Sequence, residues 1–363
     1  MTERVTAKER VKTAIAHRSP DRVPIDYYAR DEITAALKQR LNVDTDEELL
    51  ERLGADIRLV QPRFKGETAP LAYADPTVEV TPDGVHRDIW GVGFVPNQTE
   101  TGFYMDLAEG PLKGLESDHQ LDAYPWPSAD LWDYSTVAAD ADALADCYVR
   151  THSRGIFEIS WFLRGFDEFL LDLASNPGRA HRLMDHVQTY LMERTRQVLG
   201  AADGRIDIVE YNDDVASQKG LFMSPAMWRE HLKPRMAEFI RLCKPYGVAI
   251  RYHCCGGLRP IIPDLIEIGV DVLNPVQTLA AGMEPEALKR DFGGAITFDG
   301  AIDTQELLPR ATPDQVRAEV RHLIHVLGEN GGYLLGPAHA FQADVPVDNV
   351  LAVYETALGR PLT

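Results

Sequence analysis

The chain has 363 residues, 45% of them hydrophobic, and a formal net charge of −19 at pH 7. This length fits one large domain or two ordinary ones, and the apolar fraction is sufficient for a substantial core. Because the negative charge is spread along the chain, the composition argues against binding to nucleic acid or to an anionic membrane surface.

The location predicted from the sequence is the cytoplasm. No apolar run approaches the ~20 residues that span a bilayer, and the first four residues lack the apolar centre of a signal peptide. The chain contains four cysteines, and two of them, Cys254 and Cys255, are adjacent. Adjacent cysteines can hardly cross-link distant parts of a fold. A reducing compartment, with a metal-binding or catalytic role for the cysteines, therefore fits better than a disulfide framework.

Strand-like runs alternate with helical patterns along the chain. The eight runs are residues 22–28, 56–60, a segment between 148 and 160, 206–210, 248–252, 270–274, 295–299 and 332–336. Amphipathic helices are predicted over 227–242 and 312–327, the second with Thr312 as N-cap and Gln315 three positions on. This alternation predicts a parallel sheet, and eight repeats in this length predict a closed (β/α)₈ TIM barrel of the α/β class.

The stretch from about residue 61 to 146 breaks this rhythm. It contains a predicted hairpin over 78–90 and an acidic, proline-rich loop over 122–133. We interpret it as an insertion in the loop after the second strand, on the active-site side of a single barrel domain that spans 1–363. The insertion either caps the site or is a surface excursion, and the sequence leaves both alternatives open.

The most informative motif is the run His253-Cys254-Cys255-Gly256-Gly257, directly after the fifth predicted strand. Alternate side chains of an extended segment share a face, so His253 and Cys255 are predicted to point the same way, with Cys254 turned away. The glycines allow a sharp turn just beyond. An imidazole and a thiolate side by side favour zinc; the alternatives are a hydrogen-bonded histidine and a small buried cysteine.

Barrel enzymes place their catalytic groups at the C-terminal ends of the strands, and polar residues follow these strands. His253, Cys255 and His339 are the first three predicted zinc ligands. Glu210 is the predicted fourth ligand, and it serves instead as a base or a substrate contact if water or substrate takes that position. Asp214 is a predicted catalytic base, with helix capping as its alternative.

The remaining strand-end residues are predicted to contact the substrate. This group consists of Tyr28, Arg30, Asn274 and Gln277. Arg164 and Arg251 are candidates to hold a substrate carboxylate, although each would serve equally well in a structural ion pair.

Several segments resemble one known family: residues 10–15, 20–24, 88–92, 213–225, the His253-x-Cys255-Gly256 pattern and 331–350. They resemble the uroporphyrinogen decarboxylase superfamily, and within it the branch of cobalamin-linked zinc methyltransferases. The resemblance implies a (β/α)₈ barrel, in agreement with the strand count. It also implies zinc held by His-x-Cys and a distant cysteine, whose place His339 takes here.

The resemblance implies a zinc-dependent methyltransferase that moves a methyl group between a corrinoid and a small thiol or a methoxy or methylated substrate. The corrinoid (methylcobalamin) is expected on a separate protein, because the chain lacks an Asp-x-His-x-x-Gly signature. Porphyrinogen decarboxylation is not expected, since the arginine-rich segment of true decarboxylases corresponds here to residues 26–32, which contain one arginine, Arg30.

The alternative function is a zinc-dependent hydrolase or decarboxylase of a small carboxylate on the same barrel. In that case Glu210 or Asp214 would be the general base. Replacing a thiolate by the imidazole of His339 would make the zinc a stronger Lewis acid, which leaves the methyl acceptor open. Barrels of this kind can pair through their outer helices, so a homodimer is an alternative to the monomer.

Overall fold

The computed structural model describes residues 5–67, 75–99 and 102–362. The strands are β1 (Ile57–Leu59), β2 (Arg63–Phe64), β3 (Thr77–Val80), β4 (His86–Asp88), β5 (Gly93–Thr99), β6 (Gly102–Glu109), β7 (Trp132–Asp133), β8 (Tyr148–Arg154), β9 (Ile208–Asn212), β10 (Ala216–Ser217), β11 (Gly220–Leu221), β12 (Ala249–His253), β13 (Val272–Val276), β14 (Thr297–Ile302) and β15 (Tyr333–Pro337).

The helices are α1 (Ala7–Ile15), α2 (Asp31–Leu41), α3 (Asp46–Leu53), α4 (Asp118–Asp122), α5 (Val137–Asp142), α6 (Ile156–Arg164), α7 (Phe166–Ser175), α8 (Pro177–Ala202), α9 (Pro225–His231), α10 (Lys233–Cys243), α11 (Ile262–Ile268), α12 (Pro285–Phe292), α13 (Leu307–Arg310), α14 (Pro313–Gly328) and α15 (Val347–Leu358). None of the helices in the described part of the chain combines the length and the apolar character needed to cross a bilayer.

The central sheet closes into a barrel. Within the described residues it has seven parallel strands in the order β1-β8-β9-β12-β13-β14-β15. Residues 24–26 join its two edges: the Asp26 N–H donates to the Leu335 carbonyl at 2.8 Å, and the Asp56 N–H donates to the Ile25 carbonyl at 2.7 Å. This closing segment takes the place of an eighth strand, and the predicted (β/α)₈ barrel is confirmed.

The first predicted strand, 22–28, differs from the structure in one respect. It forms isolated bridges at Ile25 and Ala29 instead of a regular strand, since Pro24 has no N–H to donate to a ladder. The other seven predicted runs overlap β1, β8, β9 and β12 to β15.

Of the two predicted helices, one is whole and one is divided. The helix predicted over 227–242 is divided into α9 and α10, because Pro234 near the start of α10 cannot donate to the preceding turn. The N-terminus of α14 forms the predicted capping box. The Gln315 N–H donates to Thr312 Oγ1 at 3.4 Å, and the Thr312 N–H donates to Gln315 Oε1 at 2.9 Å.

The segment between β1 and β8 contains the predicted hairpin, β3–β4, as part of an antiparallel sheet in the order β3-β4-β5-β6. Buried Arg154, at the end of β8, lies 2.9 Å from the Asp75 carboxylate, which also accepts a hydrogen bond from Trp90 Nε1 at 3.0 Å. Farther along, the Tyr104 hydroxyl donates to the Gln342 side chain. These contacts bring the segment against the C-terminal ends of the strands, and its role as a lid stays a prediction.

The barrel interior has an apolar floor and a charged layer above it. The floor consists of Val11, Ala14, Ile57, Tyr148, Ile208, Val272 and Leu334, all buried. Above it, Arg150 lies 3.0 Å from Glu210, and Arg251 lies 2.8 Å from Asp26 and 3.1 Å from Asp299. The charges of this layer are therefore paired across the barrel, below the level of the metal motif.

Replacing Asp56 by alanine should lower the free energy of unfolding by about 2–4 kcal/mol. This carboxylate is 1% exposed and accepts from Arg10 Nη1 at 2.7 Å, Arg22 Nη1 at 2.8 Å and the Ile25 N–H at 2.8 Å, so its loss leaves buried donors without a partner. Denaturant unfolding measures the change. Asp314→Ala, at a carboxylate that is 93% exposed, is the control and should shift the value by no more than about 0.5 kcal/mol. Equal losses in both variants would contradict the role of Asp56.

Candidate metal centre

The motif at 253–257 lies at the end of β12 and in the turn that follows. His253 is the last residue of β12 and pairs in register with Asn212 on β9 and Asn274 on β13. Gly256 has φ +101°, and a Cβ there would lie 2.4 Å from the Ser217 carbonyl. Only glycine fits this close approach without strain, so the turn brings Cys255 against the loop that follows β9.

Three potential ligands converge at this turn. One ligand atom from each of Asp214, His253 and Cys255 lies within 4.8 Å of the other two, and we call these residues the metal group. Asp214 Oδ1 accepts the Cys255 N–H at 2.8 Å, which holds the carboxylate over the turn. In the described ranges, no other histidines, cysteines or carboxylates form such a group of three. Cys254 is fully buried, and its sulfur accepts the Val215 N–H at 3.2 Å.

The neighbouring Asp213 has a different role from Asp214. Its carboxylate accepts the N–H groups of Glu158 at 2.8 Å and Phe157 at 3.2 Å, so it caps the first turn of α6. Burial raises the pKa of Asp213 to about 7. A side chain at Gly155 would lie 2.1 Å from the Asp213 side chain, and glycine is therefore required there. Of this acidic pair, one residue caps a helix and the other joins the metal group.

The donor set of the metal group fits zinc. It offers one imidazole nitrogen, one sulfur and one carboxylate oxygen, and it leaves a fourth position for substrate. Ligand atoms around one zinc ion lie about 3.5 Å apart, so side-chain shifts of about 1 Å would close the group on a metal. Burial raises the pKa of the Cys255 thiol, and the carboxylates of Asp214 and Glu158 raise it further. A divalent cation would stabilise the thiolate against both effects.

Neither His339 nor Glu210, the other predicted ligands, has an atom in the metal group. His339 is exposed to the solvent of the mouth, and its Nδ1 lies 3.3 Å from Gln342 Nε2. The pKa of His339 is lowered by the protein that surrounds the ring on its other sides and by the nearby His253. The geometry therefore favours Asp214 over His339 as the third ligand.

Glu210 is bound to arginines instead of facing the metal group. Its Oε2 lies 3.0 Å from Arg150 Nη1 and 3.3 Å from Arg251 Nη1. Burial works to raise the pKa of Glu210, but these two arginines overcome it and hold the pKa well below its usual range. An ionised carboxylate with two guanidinium partners is a weak proton acceptor, which disfavours Glu210 both as a base and as a ligand.

The predicted substrate residues divide into two groups. Tyr28 is 54% exposed in the mouth, with its ring edge-on to His339 at a centroid distance of 6.3 Å, and Arg30 lies over the Tyr104 ring at 5.6 Å. Asn274 and Gln277 are buried instead.

Arg164 and Arg251, the candidates for a substrate carboxylate, are both in buried ion pairs. Arg164 lies 2.8 Å from Asp172 and also contacts Glu168, while Arg251 binds the acids of the charged layer. The structure therefore places each arginine in a structural ion pair, which was the alternative given for both from the sequence.

Comparison with known proteins gives the family. Residues 154–358 match the family model described as uroporphyrinogen decarboxylase (URO-D). The chain belongs to the uroporphyrinogen decarboxylase family. This confirms the resemblance drawn from the sequence motifs.

Two curated relatives and one solved structure extend the comparison. Uroporphyrinogen decarboxylases from two strains of Thermus thermophilus are 26% identical over 178 residues, 48% of this chain and 47% of each relative. The chain thus spans about half the length of the curated relatives it matches. A methyltransferase from Methanosarcina mazei superposes with a TM-score of 0.68 at 17% identity and covers 98% of this chain and 99% of that chain, which shows a shared fold.

Purified protein should contain about one zinc ion per chain, and Asp214→Ala should weaken zinc binding by on the order of 100-fold or more because a direct ligand is lost. Competition with a chromophoric chelator measures the affinity. His339→Ala should stay within about threefold of the wild type, since its side chain lies outside the metal group. Cys254→Ala is a second control, at a sulfur directed elsewhere. The reverse outcome, with zinc lost in His339→Ala and kept in Asp214→Ala, would restore the ligand set predicted from the sequence.

Proposed function

We propose that this protein is a zinc-dependent methyltransferase, which moves a methyl group between a corrinoid on a partner protein and a small thiol or a methoxy or methylated substrate. The observation that carries this proposal is the convergence of Asp214, His253 and Cys255 at the mouth of the barrel. Membership of the uroporphyrinogen decarboxylase family and the fold shared with the Methanosarcina mazei methyltransferase support it.

The charge of the metal group suits substrate activation. When bound, zinc supplies a Lewis acid that lowers the pKa of a thiol or alcohol brought to it. Asp214 and Cys255 each contribute one negative charge and His253 contributes none, so the three side chains offset the charge of a divalent cation. An incoming substrate anion would then meet a neutral centre and would not be repelled by it.

Two side chains in the mouth are available to the substrate. His339 is neutral at pH 7 because its pKa is lowered by its surroundings and by His253, so it can accept a hydrogen bond from an incoming thiol. The Tyr28 hydroxyl can donate one, since a phenol, whose usual pKa is about 10, is protonated at pH 7. Both would orient the substrate relative to the metal group.

The mouth offers apolar surface to a bulky methyl donor. Leu59 lies on β1, in register with Arg150 of the charged layer, and is 52% exposed. Tyr28 is 54% exposed. Exposed apolar side chains of this size at a barrel opening suit contact with a large cofactor such as a corrinoid, and they leave the mouth accessible to a partner protein.

The alternative of a zinc hydrolase or decarboxylase for small carboxylates has less support. Of its two candidate general bases, Glu210 has a pKa held well below the usual range by Arg150 and Arg251, and Asp214 belongs to the metal group. Its candidate carboxylate-binding residues, Arg164 and Arg251, already bind buried aspartates. No observation in the described part of the chain favours this function over methyl transfer.

The zinc-loaded protein should transfer the methyl group of free methylcobalamin to at least one small thiol. The thiolate attacks the methyl carbon, the carbon–cobalt bond breaks, and its electron pair stays on cobalt as Co(I), which absorbance spectroscopy follows. Cys255→Ala and Asp214→Ala should lower the rate by about 100-fold or more, while Cys147→Ala, at a cysteine outside the metal group, serves as the control. Failure with a panel of neutral, acidic and basic thiols, together with release of carbon dioxide or a hydrolysis product from another substrate, would contradict methyl transfer.

A further inference from the structure

Asn274 on β13 and Gln277, in the loop just after that strand, approach the metal group from the same side. Both were predicted from the sequence to contact the substrate. We infer that they are instead positioning residues, in which the carboxamide of Asn274 orients the imidazole of His253 and the carboxamide of Gln277 holds the turn that presents Cys255. This inference rests on the metal site of the proposed function and extends it to residues that do not touch the metal.

Asn274 contacts the metal motif in two ways. Its Oδ1 lies 2.6 Å from His253 Nδ1. A carboxamide oxygen can only accept a hydrogen bond, so Nδ1 carries the proton and Nε2 keeps its lone pair for a metal. The backbone carbonyl of Asn274 also accepts the Cys254 N–H at 2.8 Å, which fixes the register of the two strands at this point. The ring orientation and the tautomer of His253 are therefore set by one residue.

Gln277 acts on the other side of the turn. Its Oε1 accepts the Gly256 N–H at 2.9 Å and a hydrogen bond from the Gln218 side chain, and its Nε2 donates to the Ala338 carbonyl at 3.3 Å. The carboxamide thus links the glycine that shapes the turn to the chain at Ala338.

The exposure of the two side chains argues against substrate binding. Asn274 is 5% exposed and Gln277 is 8% exposed, whereas Tyr28 in the same mouth is 54% exposed. Both carboxamide oxygens are already engaged by donors from the protein. A substrate would have to displace His253 from Asn274 and the Gly256 N–H from Gln277, which would disturb the side chain and the turn that the metal group needs.

The test for Asn274 compares zinc affinity in Asn274→Leu and Asn274→Asp, by chelator competition in the absence of substrate. Leucine has a similar size but cannot accept a hydrogen bond, and should weaken zinc binding about 10- to 100-fold. Aspartate keeps the acceptor and should bind zinc at least as tightly as the wild type. This rescue by the conservative variant separates orientation of His253 from a general effect on packing, and Asn274→Asp remains informative if Asn274→Leu does not fold.

The test for Gln277 compares Gln277→Leu and Gln277→Glu by the same chelator competition. Glutamate keeps the acceptor for the Gly256 N–H and should stay within about threefold of the wild type. Leucine removes that acceptor and should weaken zinc binding about 10-fold or more, because the turn that presents Cys255 is no longer held. Equal zinc affinities in the two variants would overturn the assignment of Gln277.

Asn349→Leu is the matched control for both tests. Asn349 is also a buried carboxamide, 1% exposed, and it donates to the carbonyls of Leu308 and Ala311 at 2.8 Å. Its replacement should lower stability and leave the zinc affinity of the folded protein unchanged. Wild-type zinc affinity in Asn274→Leu, with a change confined to the KM of a substrate, would overturn the inference and leave the proposed function standing. Absence of zinc binding in the wild type would instead refute the metal centre on which the proposed function rests.

Discussion

The closed barrel depends on the ion network that Arg251 makes across its interior. The guanidinium lies 2.8 Å from Asp26 in the closing segment, 3.3 Å from Glu210 on β9 and 3.1 Å from Asp299 on β14. These acids come from different sides of the barrel, so one buried cation joins the irregular closing segment to the regular sheet. Because a buried charge without partners costs several kcal/mol, the arrangement in which all four groups meet is favoured over open ones.

The same strand carries the metal motif above that network. Arg251 and His253 are two positions apart on β12 and therefore face the same way, into the barrel. Below the level of His253, the acidic groups of the charged layer are paired with arginines, and Glu210 is one of these groups. Above that level, Asp214 and Cys255 lie against His253, and a bound metal ion would balance their charges. Glu210 on β9 and Asp214 in the loop after that strand would thus serve two different cations.

The parallel strands and the presence of the barrel could be predicted from the sequence, because strand-helix alternation is a local pattern. The position of His253 and Cys255 on one side of a strand end followed from the alternation of side chains. The sequence did not predict Asp214 as the third ligand. Asp214 reaches Cys255 through a turn that depends on Gly256 passing close to the Ser217 carbonyl. That contact joins two loops distant in sequence. The burial of Asn274 could not be predicted either, because the sequence does not show whether an amide at a strand end faces solvent or a neighbouring ligand.

X-ray absorption at the zinc edge of the wild-type protein tests the central claim most directly. The account predicts one sulfur ligand at about 2.3 Å and nitrogen and oxygen ligands at about 2.0–2.2 Å, with the multiple scattering of a single imidazole. Multiple scattering from two imidazoles would show that His339 binds the metal, and a zinc shell without sulfur would show that Cys255 does not. Either result would contradict the metal group of Asp214, His253 and Cys255.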